Sequence, residues 1–251
     1  MTRAARKYFF LASAILLAAV FWLGYSALPP AGHVPGHYGD RVNAVVVPLR
    51  HITDAVTAVN FDIRGFDTLG EEFILFTSIM AVALLMRRRK ERGGGDHEDK
   101  AGNRRVPPPS DAVRITAVLL VPATVLFGIY MVTHGQITPG GGFQGGVILA
   151  TAPVLLYLAG SFGQFRKVAP MRMVAIGEAI GAAAYIVIGG GCIAMGGNFL
   201  QNLLPMGKVV GSLTAGGIVP LIDLGVGLEV SGGFVLALLV YLEELVEEKE
   251  E

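Results

Sequence analysis

Six runs of about twenty apolar residues, at 8–28, 69–86, 114–133, 143–162, 173–195 and 218–242, decide what this chain can be. A helix rises 1.5 Å per residue, so about 20 apolar residues cross the ~30 Å hydrocarbon core of a bilayer. Hydrophobic residues make up 53% of the 251 and charged residues only 16%, where a soluble domain carries about a quarter charged. A water-soluble globule is excluded. Twenty basic and 20 acidic residues cancel, which argues against a nucleic-acid binder. The single cysteine, Cys192, excludes a disulfide framework and a zinc knuckle.

Arg3, Arg6 and Lys7 precede the first run in the manner of a secretory signal. The run exceeds the 7–15 residues of a signal core, and Tyr25-Ser26-Ala27 is a poor cleavage site, so it reads as a retained helix. An even number of spans puts both ends on one side. Of the 20 Lys and Arg residues, Arg41, Arg50, Arg64 and Lys208 then lie opposite, and all others share the side of the termini. The positive-inside bias makes that richer side cytoplasmic. The expectation is an all-α, multi-pass integral membrane protein with six transmembrane helices, two plus four, and both termini in the cytoplasm.

The stretch RRRKERGGGDHEDKAGNRRVPPPS at 87–110 is nearly free of apolar residues and cannot bury enough surface to fold alone. It divides the chain into a two-helix module at 1–92, a flexible cytoplasmic linker at 93–109 and a four-helix module at 110–251. A basic group beside a membrane also suits lipid head groups, but the interspersed Asp96, Glu98 and Asp99 favour a tether. Between the first two spans, Val42, Val45, Leu49, Ile52, Val56 and Val59 recur at steps of three and four. This spacing predicts an amphipathic helix lying on the outer membrane surface or on a neighbouring subunit, kinked at Pro48. His33 and His37, in a Gly/Pro-rich loop, read as surface histidines. The first three spans do not resemble the last three, which weighs against an inverted-repeat transporter working alone.

Four segments carry chemistry. FDIRGFDTLGEE, 61–72, sets Asp62, Asp67, Glu71 and Glu72 beside Arg64 at the entrance to the second span. Such a group gathers cations, or caps a helix through Thr68 and its neighbours. Capping is the expectation for Asp67 and Thr68; for Glu71 and Glu72 both readings stand. THGQITPGGGFQGG, 133–146, lacks the Gly-Lys-Ser/Thr of a phosphate loop. It reads as a tight turn, with His134 and Gln136 as candidates to line a wet cavity. Glu178 lies six residues inside Arg172, roughly 9 Å along the axis. Gly177 and Gly181 flank it as a Gly-x-x-x-Gly pair, and the glycines at 189–191 are candidates to open the helix locally. In the last span Asp223 and Glu229 are separated by roughly 9 Å of axial rise and 120° of turn. Asp223 either caps its own helix or takes part in transport; Glu229 sits near mid-membrane. The acidic tail at 243–251 reads as a solvated cytoplasmic end.

An ionised carboxylate in hydrocarbon is costly and is found facing a bundle interior, a water-filled cavity or a partner. Acids staggered in depth, with Glu71 and Asp223 near the outside, Glu229 central and Glu178 toward the inside, are what a cation or proton pathway needs.

At these motifs the chain resembles the Mrp-type multisubunit sodium/proton antiporters. Residues 110–251, with THGQITPGGGFQGG and GVGLEVSGG, resemble the B subunit. Residues 1–92, with FDIRGFDTLGEE, resemble the carboxyl-terminal end of the large A subunit, although in that family the segment often belongs to a much longer chain. The resemblance implies a cofactor-free subunit in a prokaryotic inner (plasma) membrane. Its partners would be the other antiporter subunits, transported sodium ions and protons, and the surrounding lipid. Glu71, the acid of the GFDTLGE motif, matches a position used by the family's proposed ion route. Similar modules occur in hydrogenase-type energy-converting complexes, where this chain would hold no iron–sulfur cluster for want of cysteines. A purely structural scaffold and a stand-alone transporter are the remaining readings.

Overall fold

The structure, a computed structural model, describes residues 3–28, 37–86, 109–160 and 162–247. The expected linker lies outside them except for residue 109, as do His33 and the basic group at 87–105. Among the described residues every regular element is helical, and six helices are long and apolar enough to cross a membrane.

The chain forms two compact units, Met1–Arg41 and Val42–Glu251. The first contains α1 (Arg3–Ser26), the first of the six candidate spans, none of whose membrane-length stretch is buried. Phe9, Phe10, Phe21 and Trp22 are each 70% exposed. A helix apolar on every side asks for lipid or another protein around it.

The second unit begins within α2 (Tyr38–Arg50). Helix α2 carries Pro48 inside it without ending there. The break comes at His51, whose φ of 58° is left-handed. The His51 Nδ1 lies 2.8 Å from the Gly207 carbonyl oxygen, and the Thr53 and Asp54 amides donate to the Gln136 carbonyl at 3.1 and 3.3 Å. Tertiary hydrogen bonds thus cut the helix expected over 42–59. Asp54 then caps the short α3 (Ala55–Ala58), accepting from the Val56 and Thr57 amides, and a π-helical turn (Val59–Ile63) leads into α4 (Gly65–Met86). Val42, Val46 and Ile52 are buried, whereas Leu49 and Val56 are exposed.

The remaining spans are α5 (Asp111–Thr133), α6 (Gly142–Ala159), α8 (Met171–Ala194) and α9 (Val219–Glu247), with a short α7 (Phe162–Val168) that periodicity does not reveal. Ser110 caps α5 by accepting from the Val113 amide. Helix α9 is the hub, packing against α4, α5, α6 and α8, and half of its membrane-length stretch is buried. Small residues make this possible. A Cβ at Gly142 would lie 2.6 Å from the Val226 Cβ, and one at Gly146 would lie 2.7 Å from that of Val230, so α6 closes on α9 backbone to side chain. Helix α8 runs unbroken through Gly189–Gly191; Gly189 provides the space for the Phe199 ring rather than a break. The loops at 51–64, 134–141 and 195–218 gather at one end of this unit, the loop-rich end, tied by the bonds at Gln136 and Gly207.

Candidate functional site

Helical phase decides which acids enter the bundle. On α4 the buried residues are Gly65, Thr68, Glu72 and Ile79. Gly65, Glu72 and Ile79 are spaced by seven, about two turns, and so share one face. Glu71 is one step round and exposed. The interior position belongs to Glu72, which sequence reasoning placed only at the entrance. Only the burial of Gly65 and Ile79 on the same face, a tertiary fact, distinguishes the two.

On α8 the buried stripe holds Glu178, Gly181, Tyr185 and Gly189. On α9 Asp223 and Glu229 are both buried. Helices α8 and α9 meet through a reciprocal arrangement. A side chain on Gly181 would run into the backbone and Cβ of Glu229, and one on Gly232 would lie 2.9 Å from the Glu178 amide nitrogen and 3.1 Å from its Cα. Each helix thus carries Glu-x-x-Gly, and each glutamate seats its backbone in the other helix's glycine notch. The two levels are three residues apart, about 4.5 Å along the axis. Of the Gly-x-x-x-Gly pair on α8, Gly181 makes this contact. Gly177 meets only the tip of Leu228, at 3.6 Å from where its Cβ would stand.

Glu72, Glu178 and Glu229 therefore converge where α4, α8 and α9 join. The Glu72 and Glu229 carboxyl groups are neighbours, and Glu178 lies within electrostatic reach of Glu229. All three are about 1% exposed. Apart from the contact of the Glu72 and Glu229 carboxyl groups with each other, neither oxygen of Glu72 or Glu229, nor Oε1 of Glu178, has a hydrogen-bond partner among the described residues. Buried polar atoms without partners are uncommon because each forfeits its hydration. Among the described residues no three His, Cys, Asp or Glu side chains close to metal-holding spacing. The arrangement suits handing on a proton or a monovalent cation better than keeping a structural metal.

Asp223 differs. It lies inside α9, not at its start, and its Oδ1 accepts from the Gly142 amide at 2.8 Å. Asp223 thereby caps the N-terminus of α6 from another helix, where free amides and the helix dipole favour an anion. The expected cap of its own helix is not formed. The glycine turn is shaped around this carboxyl group: Gly141 has a φ of 123°, and a Cβ there would lie 3.0 Å from Asp223 Oδ1. Only Oδ2 remains unpaired.

The other candidates are spread over the loop-rich end. His134 ends α5, its ring stacked on Tyr130 with centroids 4.1 Å apart. Gln136, fully buried, donates to the Leu213 carbonyl at 3.0 Å while its Oε1 is unpaired. Asp62 pairs with Arg50 at 2.5 Å, and Asp67 with Arg64. Thr68 donates to the Asn60 carbonyl at 2.8 Å, tying α4 to the π-turn. The expected capping by Asp67 and Thr68 is replaced by these contacts. Sequence reasoning missed Tyr185, whose buried hydroxyl donates to the Gly65 carbonyl at 2.7 Å.

Residues 112–236 match the family described as a domain related to the MnhB subunit of Na+/H+ antiporter. An uncharacterized protein of Methanocaldococcus jannaschii is 31% identical over 250 residues, covering 91% of this chain and 92% of that one. The B subunit of the Na(+)/H(+) antiporter of Bacillus subtilis is 33% identical over 94 residues, 37% of this chain and 65% of that protein. Among solved structures, a chain of the membrane-bound sulfane sulfur reductase, an archaeal respiratory membrane complex, matches with a TM-score of 0.72 and 31% identity, over 93% of this chain and 97% of that one. The Mrp complex from Dietzia sp. DQ12-45-1b matches with a TM-score of 0.73 and 23% identity, over 96% of this chain but 26% of the far longer chain it aligns with. That last likeness speaks for the fold alone.

Proposed function

Because this chain belongs to the family of domains related to the MnhB subunit of Na+/H+ antiporters, we propose that it works as a membrane subunit of a multisubunit cation/proton antiporter. In this reading Glu72, Glu178 and Glu229 form the part of the sodium or proton pathway that this subunit contributes. The observation that carries it is the convergence of three fully buried carboxyl groups, five of whose six oxygens have no partner other than the Glu72–Glu229 contact itself. On membrane-insertion scales a charged side chain at a helix centre costs about 2.5–3.5 kcal/mol. A mobile cation or a shared proton offsets that cost, and a dry anchor does not.

In this reading Glu71 stands at the rim of the pathway and His134 in the cap of α5, while Asp223, held by the Gly142 amide, serves as the cap of α6 outside it. The positive-inside bias supports cytoplasmic termini, which turns the loop-rich end outward from a prokaryotic plasma membrane. Residues 1–92 keep their reading as an A-subunit-like segment on sequence likeness, while from Val42 onward they belong to the same compact unit as the B-like helices.

In the whole complex, reconstituted in vesicles, Glu229→Gln should reduce sodium/proton exchange at least tenfold while the subunit stays assembled. Normal exchange by that variant overturns the pathway reading. A second reading is favoured by the 31% identity to a chain of a respiratory complex across nearly the full length of both: the same acids would serve a redox-coupled relative. Proteins retained after mild detergent extraction separate the two, since metal-cluster subunits accompany only the second.

A further inference from the structure

At the loop-rich end an open cleft of about 400 Å³ lies between the start of α4 and the segment after α8. Asp62, Arg64, Gly65, Asp67, Asn198 and Leu200 line it. We propose that this cleft is the mouth through which a monovalent cation reaches the buried carboxyl groups, and that Tyr185 and Leu200 are the closed door behind it. The proposal deepens the pathway reading and rests on it.

Gly65 belongs to both places. It lines the cleft, and its face of α4 leads to Glu72 two turns deeper, about 10.5 Å along the axis. Behind Gly65 stand the two side chains that close the way. Its carbonyl accepts from the Tyr185 hydroxyl, and both the Tyr185 Oη and the Leu200 Cδ1 lie 3.6 Å from where its Cβ would be. Tyr185 is 2% exposed and lies within electrostatic reach of the Glu72 carboxyl group. From cleft to cluster the order is thus Gly65, Tyr185, Glu72, then Glu229 and Glu178.

Two further features fit a mouth better than a packing defect. Leu200 has a φ of 59°, a left-handed conformation that is strained for a bulky residue and recurs at clamps and switches. The cleft's acids are also already matched, Asp62 by Arg50 and Asp67 by Arg64. Paired charges make the opening polar while leaving no uncompensated acid in it to trap a cation, as conduction demands.

The test uses the whole complex in vesicles. Cys192 is buried, so the natural chain offers a quiet background for thiol chemistry. Asn198→Cys is treated with a membrane-impermeant trimethylammonium methanethiosulfonate, which fixes a positive charge in the cleft. Exchange should fall at least fivefold after modification, and sodium ions, unlike choline, should slow the modification at least threefold. Gly65→Ala adds a methyl group at ordinary contact distance from Tyr185 and Leu200, so the fold accommodates it. The maximal exchange rate should drop two- to fivefold with assembly unchanged. Full exchange after complete modification, absence of modification in vesicles of either orientation, or an unaltered rate in Gly65→Ala each overturns the mouth. If these fail while Glu229→Gln still abolishes exchange, the pathway stands and only its opening has been misplaced. If Glu229→Gln is also silent, the pathway itself fails.

Discussion

Asp223 and Glu229 sit on the same helix, six residues apart and equally buried, yet their surroundings are opposite. The Asp223 carboxyl group is held by a backbone amide and enclosed by a glycine turn that leaves no room for side chains. Glu229 has its backbone clamped by Gly181, while its carboxyl group meets only another carboxyl group, that of Glu72. One acid has its charge held by a donor and its helix free; the other has its helix held and its charge without a fixed donor. On the proposed pathway, then, burial alone does not mark a transport acid; burial without a fixed donor does.

The sharpest way to break this contrast is to neutralise Glu72 and Glu71 in turn. Glu72→Gln should lower exchange at least tenfold in the assembled complex, and Glu71→Gln less than twofold; equal losses would mean that helical phase does not select the working acid. Next comes Asp223→Ala. It strands the Gly142 amide and removes an anion from a helix N-terminus, at a cost of about 1–2 kcal/mol. The amount of intact complex should fall, while exchange per remaining complex stays within about twofold; a normal melting temperature with lost exchange would move Asp223 into the pathway. Gly181→Ala pushes a methyl group into immovable backbone, and overpacking of this kind costs about 1–3 kcal/mol. Gly177→Ala, which meets only the flexible end of Leu228, should leave the melting temperature within about 1 °C. Comparing these two by thermal denaturation in detergent checks that the Gly-x-x-x-Gly spacing has one working member. The smallest effect is expected for Arg64→Ala. It and Asp67 are both more than half exposed, so losing that pair should cost about 1 kcal/mol or less in the same thermal measurement.

The architecture was legible because solvation dictates it. Six apolar runs admit few solutions, and the six long helices fall within a few residues of where composition puts them. The acids on α8 and α9 were legible for the same reason, since a Glu within an apolar run has nowhere inexpensive to go. Three things were not. The choice between Glu71 and Glu72 depends on which face of α4 meets α9, a tertiary fact that two adjacent glutamates do not encode by themselves. The break at His51 arises from hydrogen bonds to residues more than eighty positions away, which outweigh a good local periodicity. The capping of α6 by Asp223 joins residues 81 apart. Thr68 and the glycines at 189–191 misled for the reverse reason: a local rule was satisfied on paper, while packing against Asn60 and Phe199 supplied a different use.

The interlocked notches of α8 and α9 limit how this protein can move. Sliding or rolling one helix past the other drives a glutamate backbone out of its socket and onto a helix with a side chain in the way. The spacing between the Glu178 and Glu229 main chains is therefore fixed like that of two teeth on one gear. On the proposed pathway, whatever brings their carboxyl groups together or apart must be rotation about side-chain bonds within a packed interior, not a slide of one helix along the other.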